Sequence, residues 1–210
     1  MFAIIRKYWL IISFSFLFVI SINSCFLVIY PEKSDIAQEL KLTPKPELEM
    51  SDELIRSPKG DIISLTPVGF FLMDLNSKLE NNVFSALVNN KYNTAILFSE
   101  FITNEQTEKV FQEGGLIALA RLSFAKRKNN SDAEPEMVGK YQIIKIGDLE
   151  FASYSYTTNK VVNARTAICR SRIGNIYEIS VMPMLVNNNP IPEQTDIDKT
   201  FLSVLASIKY

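Results

Sequence analysis

Residue types that drive most hydrolytic and metal chemistry are scarce in this chain: among its 210 residues there is no histidine. That removes the commonest general base, the usual activator of a serine or cysteine nucleophile, and the imidazole metal ligand. An activated serine would then need a lysine base, yet no Ser-x-x-Lys occurs in a suggestive setting, and Asn76-Ser77-Lys78 reads as helix surface. Gly114-Gly115 is followed by Leu116 and Ile117, without the Lys-Ser or Lys-Thr that a phosphate-cradling loop requires, so it reads as a helix bend. The carboxylate pairs Glu47 with Glu49 and Asp52 with Glu53 fall in a polar segment, where solvent and mobility defeat the fixed geometry of acid/base work. No catalytic residue, cofactor or metal site is expected.

Binding is the chemistry left. Tyr154 and Tyr156 share one face of a strand, and with Tyr141 they could line a groove for a peptide or glycan; the alternative is a sheet face covered by a helix. Lys126-Arg127-Lys128 complements the dipole at a helix C-terminus, with a ligand patch as the alternative. Asn187-Asn188-Asn189-Pro190 has turn chemistry and could contribute a binding rim. The two cysteines are Cys25, inside an apolar segment, and Cys169, deep in the C-terminal half, so no disulfide is expected within the folded domain and Cys169 is expected in the core.

Charge and hydropathy set where these groups work. Lys plus Arg number 22 against 23 acidic residues, so no global field gathers nucleic acid, and none is expected as partner. Tyr8 to Tyr30 carries no charge and follows Arg6 and Lys7; at about 20 residues needed to cross a bilayer, it is long enough to span one. Positive charge before the run keeps the N-terminus inside, so the membrane is an expected partner through residues 8–30 and the domain lies on the extracytoplasmic, periplasmic side. Ser24-Cys25, with Ile22 upstream, resembles the end of a bacterial lipobox, although Asn23 departs from it. An uncleaved transmembrane helix and a lipoprotein acylated at Cys25 both remain open, and cleavage after Ser24 is a third route.

Three segments follow: residues 1–30 as signal or anchor, 31–58 as a polar acidic tether with Pro44 and Pro46, and 59–210 as one α+β domain. In that domain Asp61–Leu65 and Gly69–Met73 read as two strands joined at Thr66-Pro67-Val68, and Leu75, Leu79, Val83 and Leu87 at four-residue steps predict a helix from Asp74. Thr94–Ile102 reads as a buried strand. Thr103 with Gln106 forms a capping box for a helix bent at Gly114-Gly115. Tyr141–Ile146, Leu149–Thr157, Val162–Ile173 and Ile176–Met182 form an antiparallel meander, and Ile197, Phe201, Val204, Leu205 and Ile208 predict a C-terminal helix covering one sheet face. In the last hairpin a three-residue Ile173–Asn175 connection keeps the arginines off the apolar face. It sets Arg170 opposite Glu178 outside, and Cys169 opposite Ile179 and Ala167 opposite Val181 inside. The architecture expected is a predominantly antiparallel central sheet flanked by helices.

The membrane signal, the Pro-x-Gly-Phe opening at Pro67, Gly69 and Phe70, the hairpin around Gly174 and the ending Phe201-Leu202-Ser203-Val204-Leu205-Ala206-Ser207-Ile208-Lys209-Tyr210 together resemble the PsbP-like group, which includes DcrB-type lipoproteins. The resemblance covers Asp61 to Tyr210 and brings no functional residue with it. It implies a non-enzymatic domain that docks on membrane complexes, with an unknown protein partner. An envelope-acting enzyme and a purely structural lipoprotein are the alternatives.

Overall fold

The computed structural model describes residues 35, 36, 39–74, 82–131, 134–158, 160–184 and 190–210. The anchor segment with Cys25, Leu75 and Leu79, Asn76-Ser77-Lys78, and the Asn187–Asn189 loop lie outside them. In chain order the elements are β1 (Leu40–Leu42), β2 (Met50–Arg56), β3 (Ile63–Pro67), β4 (Phe71–Leu72), β5 (Val83–Asn89), β6 (Thr94–Glu100), α1 (Glu105–Asn130), β7 (Glu136–Ile146), β8 (Leu149–Thr157), β9 (Ala164–Arg170), β10 (Ile176–Pro183) and α2 (Gln194–Ser207). Eight strands form one sheet in the order β1-β7-β8-β9-β10-β6-β5-β4, while β2 and β3 pair as a separate ribbon. The expected α+β class and the β7–β10 meander hold. The sheet is mixed, because β1 runs parallel to β7.

Each face of the sheet is packed by one helix. Beneath α2 lie Ile197, Phe201, Val204 and Leu205 against Phe98, Phe151, Cys169, Tyr177 and Ile179, all buried. On the opposite face α1 presents Ile117, Leu119 and Ala120 to Ala152, Tyr154, Ile168 and Ile176. Helix α1 starts at Asn104 rather than Thr103, since the Asn104 carboxamide accepts from the Thr107 N–H at 2.8 Å. It breaks, as expected, at Gly115, whose φ of 63° suits a residue without Cβ.

Three expectations change. Asp61–Leu65 and Gly69–Met73 do not form a hairpin: β3 pairs with β2 and β4 with β5. Val83 and Leu87 belong to strand β5 and not to a helix; a four-residue step also fits the two-residue period of a strand, and pairing with β6 decides between them. Most consequentially, part of the expected tether is folded. Leu40–Leu42 extends the sheet, Met50–Arg56 pairs with β3, and the Ser203 hydroxyl on α2 accepts the backbone N–H groups of Glu47 and Leu48 at 3.1 and 3.0 Å. The prolines stiffen this strap without excluding it from the fold.

The last hairpin does not take the expected register. Arg170 faces Ile176, Cys169 faces Tyr177 and Ile168 faces Glu178, so the connection spans Ser171–Asn175. It is closed by Ser171 and Gly174 backbone bonds and held from outside by Asn175 donating to Asp61 at 2.8 Å. Relative to the expected pairing the strands slip by two residues, which keeps every side chain on its face and changes its opposite number. Cys169 is therefore in the core, as expected, whereas Arg170 and Glu178 are not partners and each pairs instead with a residue of α1, Glu108 and Arg127 respectively.

Replacing Ser203 by Ala should lower stability by about 1–2 kcal/mol, because two backbone donors lose their acceptor, and urea unfolding measures it. Burial, aided by the Asp61 charge, pushes the Cys169 thiol pKa up to about 12. Native Cys169 should then resist alkylation at pH 8 and react on unfolding, read by peptide mass mapping. The sign follows from linkage: an unfolded thiol ionises near pH 9 and the folded one does not, so this group's contribution to stability is complete below 9 and fades as pH rises toward 12.

Candidate functional site

Because α1 packs on β7, β8 and β9, the β10-β6-β5 half of the same sheet face is left beside it rather than beneath it. There a cleft of about 710 Å³ opens. Its floor is Leu97 and Ser99 of β6, Val83 of β5, and Glu178 and Ser180 of β10; its wall is Ser123, Lys126, Arg127 and Asn130 on the C-terminal half of α1. The size falls in the range of sites that accept a drug-sized ligand or a short segment of chain.

The deepest groups form a buried polar network. Arg127 donates through Nη2 to Glu178 Oε1 at 2.6 Å and through Nη1 to the Tyr156 hydroxyl at 3.0 Å. The Ser123 hydroxyl donates to the second Glu178 oxygen and shares a bond with the Tyr154 hydroxyl. Thr166 and Ser180 hydroxyls, 2.9 Å apart, continue the network below. Burial alone would pull the Arg127 pKa down, but the Tyr156, Tyr154 and Glu178 oxygens outweigh it and hold the guanidinium above its ordinary value. Burial raises the Tyr154 and Tyr156 hydroxyls. Arg127 is thus held cationic and Tyr154 and Tyr156 neutral at neutral pH.

Of the residues singled out in the sequence, Tyr141, Tyr154 and Tyr156 do come together, with Tyr154 stacked edge-on to Tyr141 at 6.0 Å and tilted against Tyr156 at 6.1 Å. They do so under α1, at 7%, 2% and 7% exposure, so the trio forms a helix-covered face and not an open groove. Only Tyr156 reaches the cleft. The basic run divides: Arg127 turns into the network, while Lys126 stays at the rim with its ammonium 4.6 Å from the centroid of the Phe101 ring. Glu178, Ser99 and Ser123 carried no sequence signal of a site. The alternation of Glu178 and Ser180 along β10 was the available hint, since it puts polar groups on a face that Ile176 shares.

At the cleft edge Glu100 pairs with Lys59. Among the described residues no cluster of three acidic, cysteine or histidine side chains is placed to hold a metal ion.

No protein-family model and no curated protein matches the chain. Solved structures that it matches include the Ran-binding protein Mog1p of Saccharomyces cerevisiae, at 10% identity and a TM-score of 0.45 over 77% of this chain and 96% of that one. They also include cyanobacterial PsbP from Synechocystis sp. PCC 6803, at 11% identity and a TM-score of 0.47 over 75% of this chain and 91% of that one. A structure from the group that the sequence resembles thus stands among the matches. At this similarity no residue role passes from either protein to this chain.

Breaking the Arg127–Glu178 pair from one side should be costly. Arg127→Met is expected to destabilise by about 3 kcal/mol, the low end for a buried pair because its side chains keep 24% and 15% exposure. Adding Glu178→Leu should recover part of that loss, a comparison made by denaturant unfolding of both variants.

Proposed function

We propose that this chain is a non-enzymatic interaction domain, anchored through residues 8–30 and displayed on the extracytoplasmic side of a bacterial membrane, where it docks a protein partner. The uncharged run from Tyr8 to Tyr30 behind Arg6 and Lys7 supports the anchor and its orientation. Among the described residues no helix is long and apolar enough to cross a membrane, and residues 8–30 lie outside them.

The cleft beside α1 carries the interaction reading. Glu178, its deepest carboxylate, already accepts from Arg127 at one oxygen and from Ser123 at the other, so both oxygens are taken up by the protein's own donors. Apart from Lys126 and Glu100 at its rim, the rest of the lining is hydroxyl, amide and apolar surface, which suits recognition.

The full-length chain is expected in the membrane fraction, open to protease added to spheroplasts, and co-purifying in mild detergent with one membrane protein at fixed stoichiometry. Recovery from cytosol, or protection from protease, would refute the topology. Turnover of envelope material lost on replacing one cleft side chain would refute the non-enzymatic role. The mass of the mature N-terminus separates the anchors: an intact Met1 identifies the uncleaved span and a diacylglyceryl Cys25 the lipoprotein.

A further inference from the structure

Charge within the cleft is not evenly satisfied. Arg127 is neutralised by Glu178, and Glu100 by Lys59. Among the described residues no carboxylate forms an ion pair with Lys126, which lies on the exposed side of α1 over Phe101. Among the described residues Lys126 is therefore the uncompensated charge of the lining. In the same lining Ile102 is 63% exposed, and Val83 and Leu97 add half-buried apolar surface. Neutral hydrogen-bonding groups, Ser99, Asn82 and Asn130 among them, also line the cleft.

That pattern selects among occupants. Among the described residues this leaves one cation of the lining without an ion pair, far too little for nucleic acid, whose binding scales with the number of phosphates neutralised. A glycan needs an open ring face, but Phe101 and Tyr156 are 5% and 7% exposed and each already carries a cation, Lys126 at 4.6 Å and Arg127 at 4.8 Å. A polypeptide supplies what remains: main-chain donors and acceptors for the hydroxyls and amides, an apolar side chain, and a carboxylate.

We infer that the cleft takes an extended segment of a partner protein in which an acidic residue meets Lys126 beside an apolar residue seated on Ile102, Val83 and Leu97. This rests on the interaction reading above and names the partner's chemistry at that site. The acidic residue steers the encounter and sets the register, while the apolar residue supplies contact area.

The test is photo-crosslinking in the full-length membrane-bound chain, with benzoylphenylalanine replacing Asn130 or Ile102 on the two rims, or Phe71 on β4 as a distant control. Expected are crosslinks from both rims to one protein, mapping to a peptide with Asp or Glu next to an apolar residue. Lys126→Glu should reduce their yield about tenfold, as charge reversal at a pair costs on the order of 1.4 kcal/mol, and a Lys replacing the partner's acid should restore it. Far-UV circular dichroism checks that the variant folds. Rim crosslinks indifferent to Lys126→Glu, or mapping to a segment without an acid, overturn the inference and leave the interaction reading standing. Protein crosslinks only from Phe71 overturn the cleft as the docking surface. Absence of protein crosslinks from all three positions overturns both.

Discussion

The pairing of β9 with β10 through Ser171–Asn175 is the constraint on which the remaining geometry depends. With Cys169 opposite Tyr177, the Tyr177 hydroxyl points at Asp61, and Asp61 in turn accepts from Asn175 and Ser57. Burial works against that carboxylate, yet the bonds from Ser171, Tyr177, Asn175 and Ser57 prevail and hold its pKa below the ordinary range. The β2–β3 ribbon is thus fastened to the sheet at the hairpin. With Ile168 opposite Glu178 on the other face, Glu178 lies within reach of Arg127, and Arg170 near Glu108 and the ring of Phe111. One register supplies both faces with their polar fasteners.

Helix α1 meets that face with a composite surface. Its middle is small and apolar and packs closely on β8 and β9, whereas its last turns carry Ser123, Lys126 and Arg127. The arginine reaches inward to tyrosine hydroxyls and a glutamate, and the neighbouring lysine stays outside. A buried ion pair of this kind is weak evidence for stability, since its desolvation offsets much of the attraction. Its effect here is placement: it holds the C-terminal part of α1 against β8 and β10 and leaves the β6–β5 surface beside it open as the cleft.

The strap from Leu40 to Arg56 illustrates how composition misleads. Proline spacing and acidic residues are those of a solvated linker, and no apolar period contradicts them. Yet β1 needs only Leu40 and Leu42 against β7, β2 needs only Ile55 in the core, and the remaining bonds come from backbone groups that any sequence carries. A segment with few side chains to bury can still be folded when a sheet edge and a helix hydroxyl satisfy its main chain. The misplaced helix near Val83 has a related cause, because even-numbered spacing of apolar residues is shared by the two periodicities.

From the amino acids alone came the α+β class, the meander, the break at Gly115, the C-terminal helix, the burial of Cys169 and the clustering of Tyr141, Tyr154 and Tyr156, because periodicity, glycine chemistry and alternation along strands are local properties. Which residue faces which across the β9–β10 hairpin, which of three consecutive cations turns inward, and whether the tyrosines lie open or covered were decided by tertiary packing. Those outcomes turn on a slip of two residues and on the position of α1 over the sheet. Such choices depend on partners far apart in the chain, Arg127 with Glu178 and Asp61 with Tyr177, whose meeting leaves no mark on either stretch of sequence read by itself.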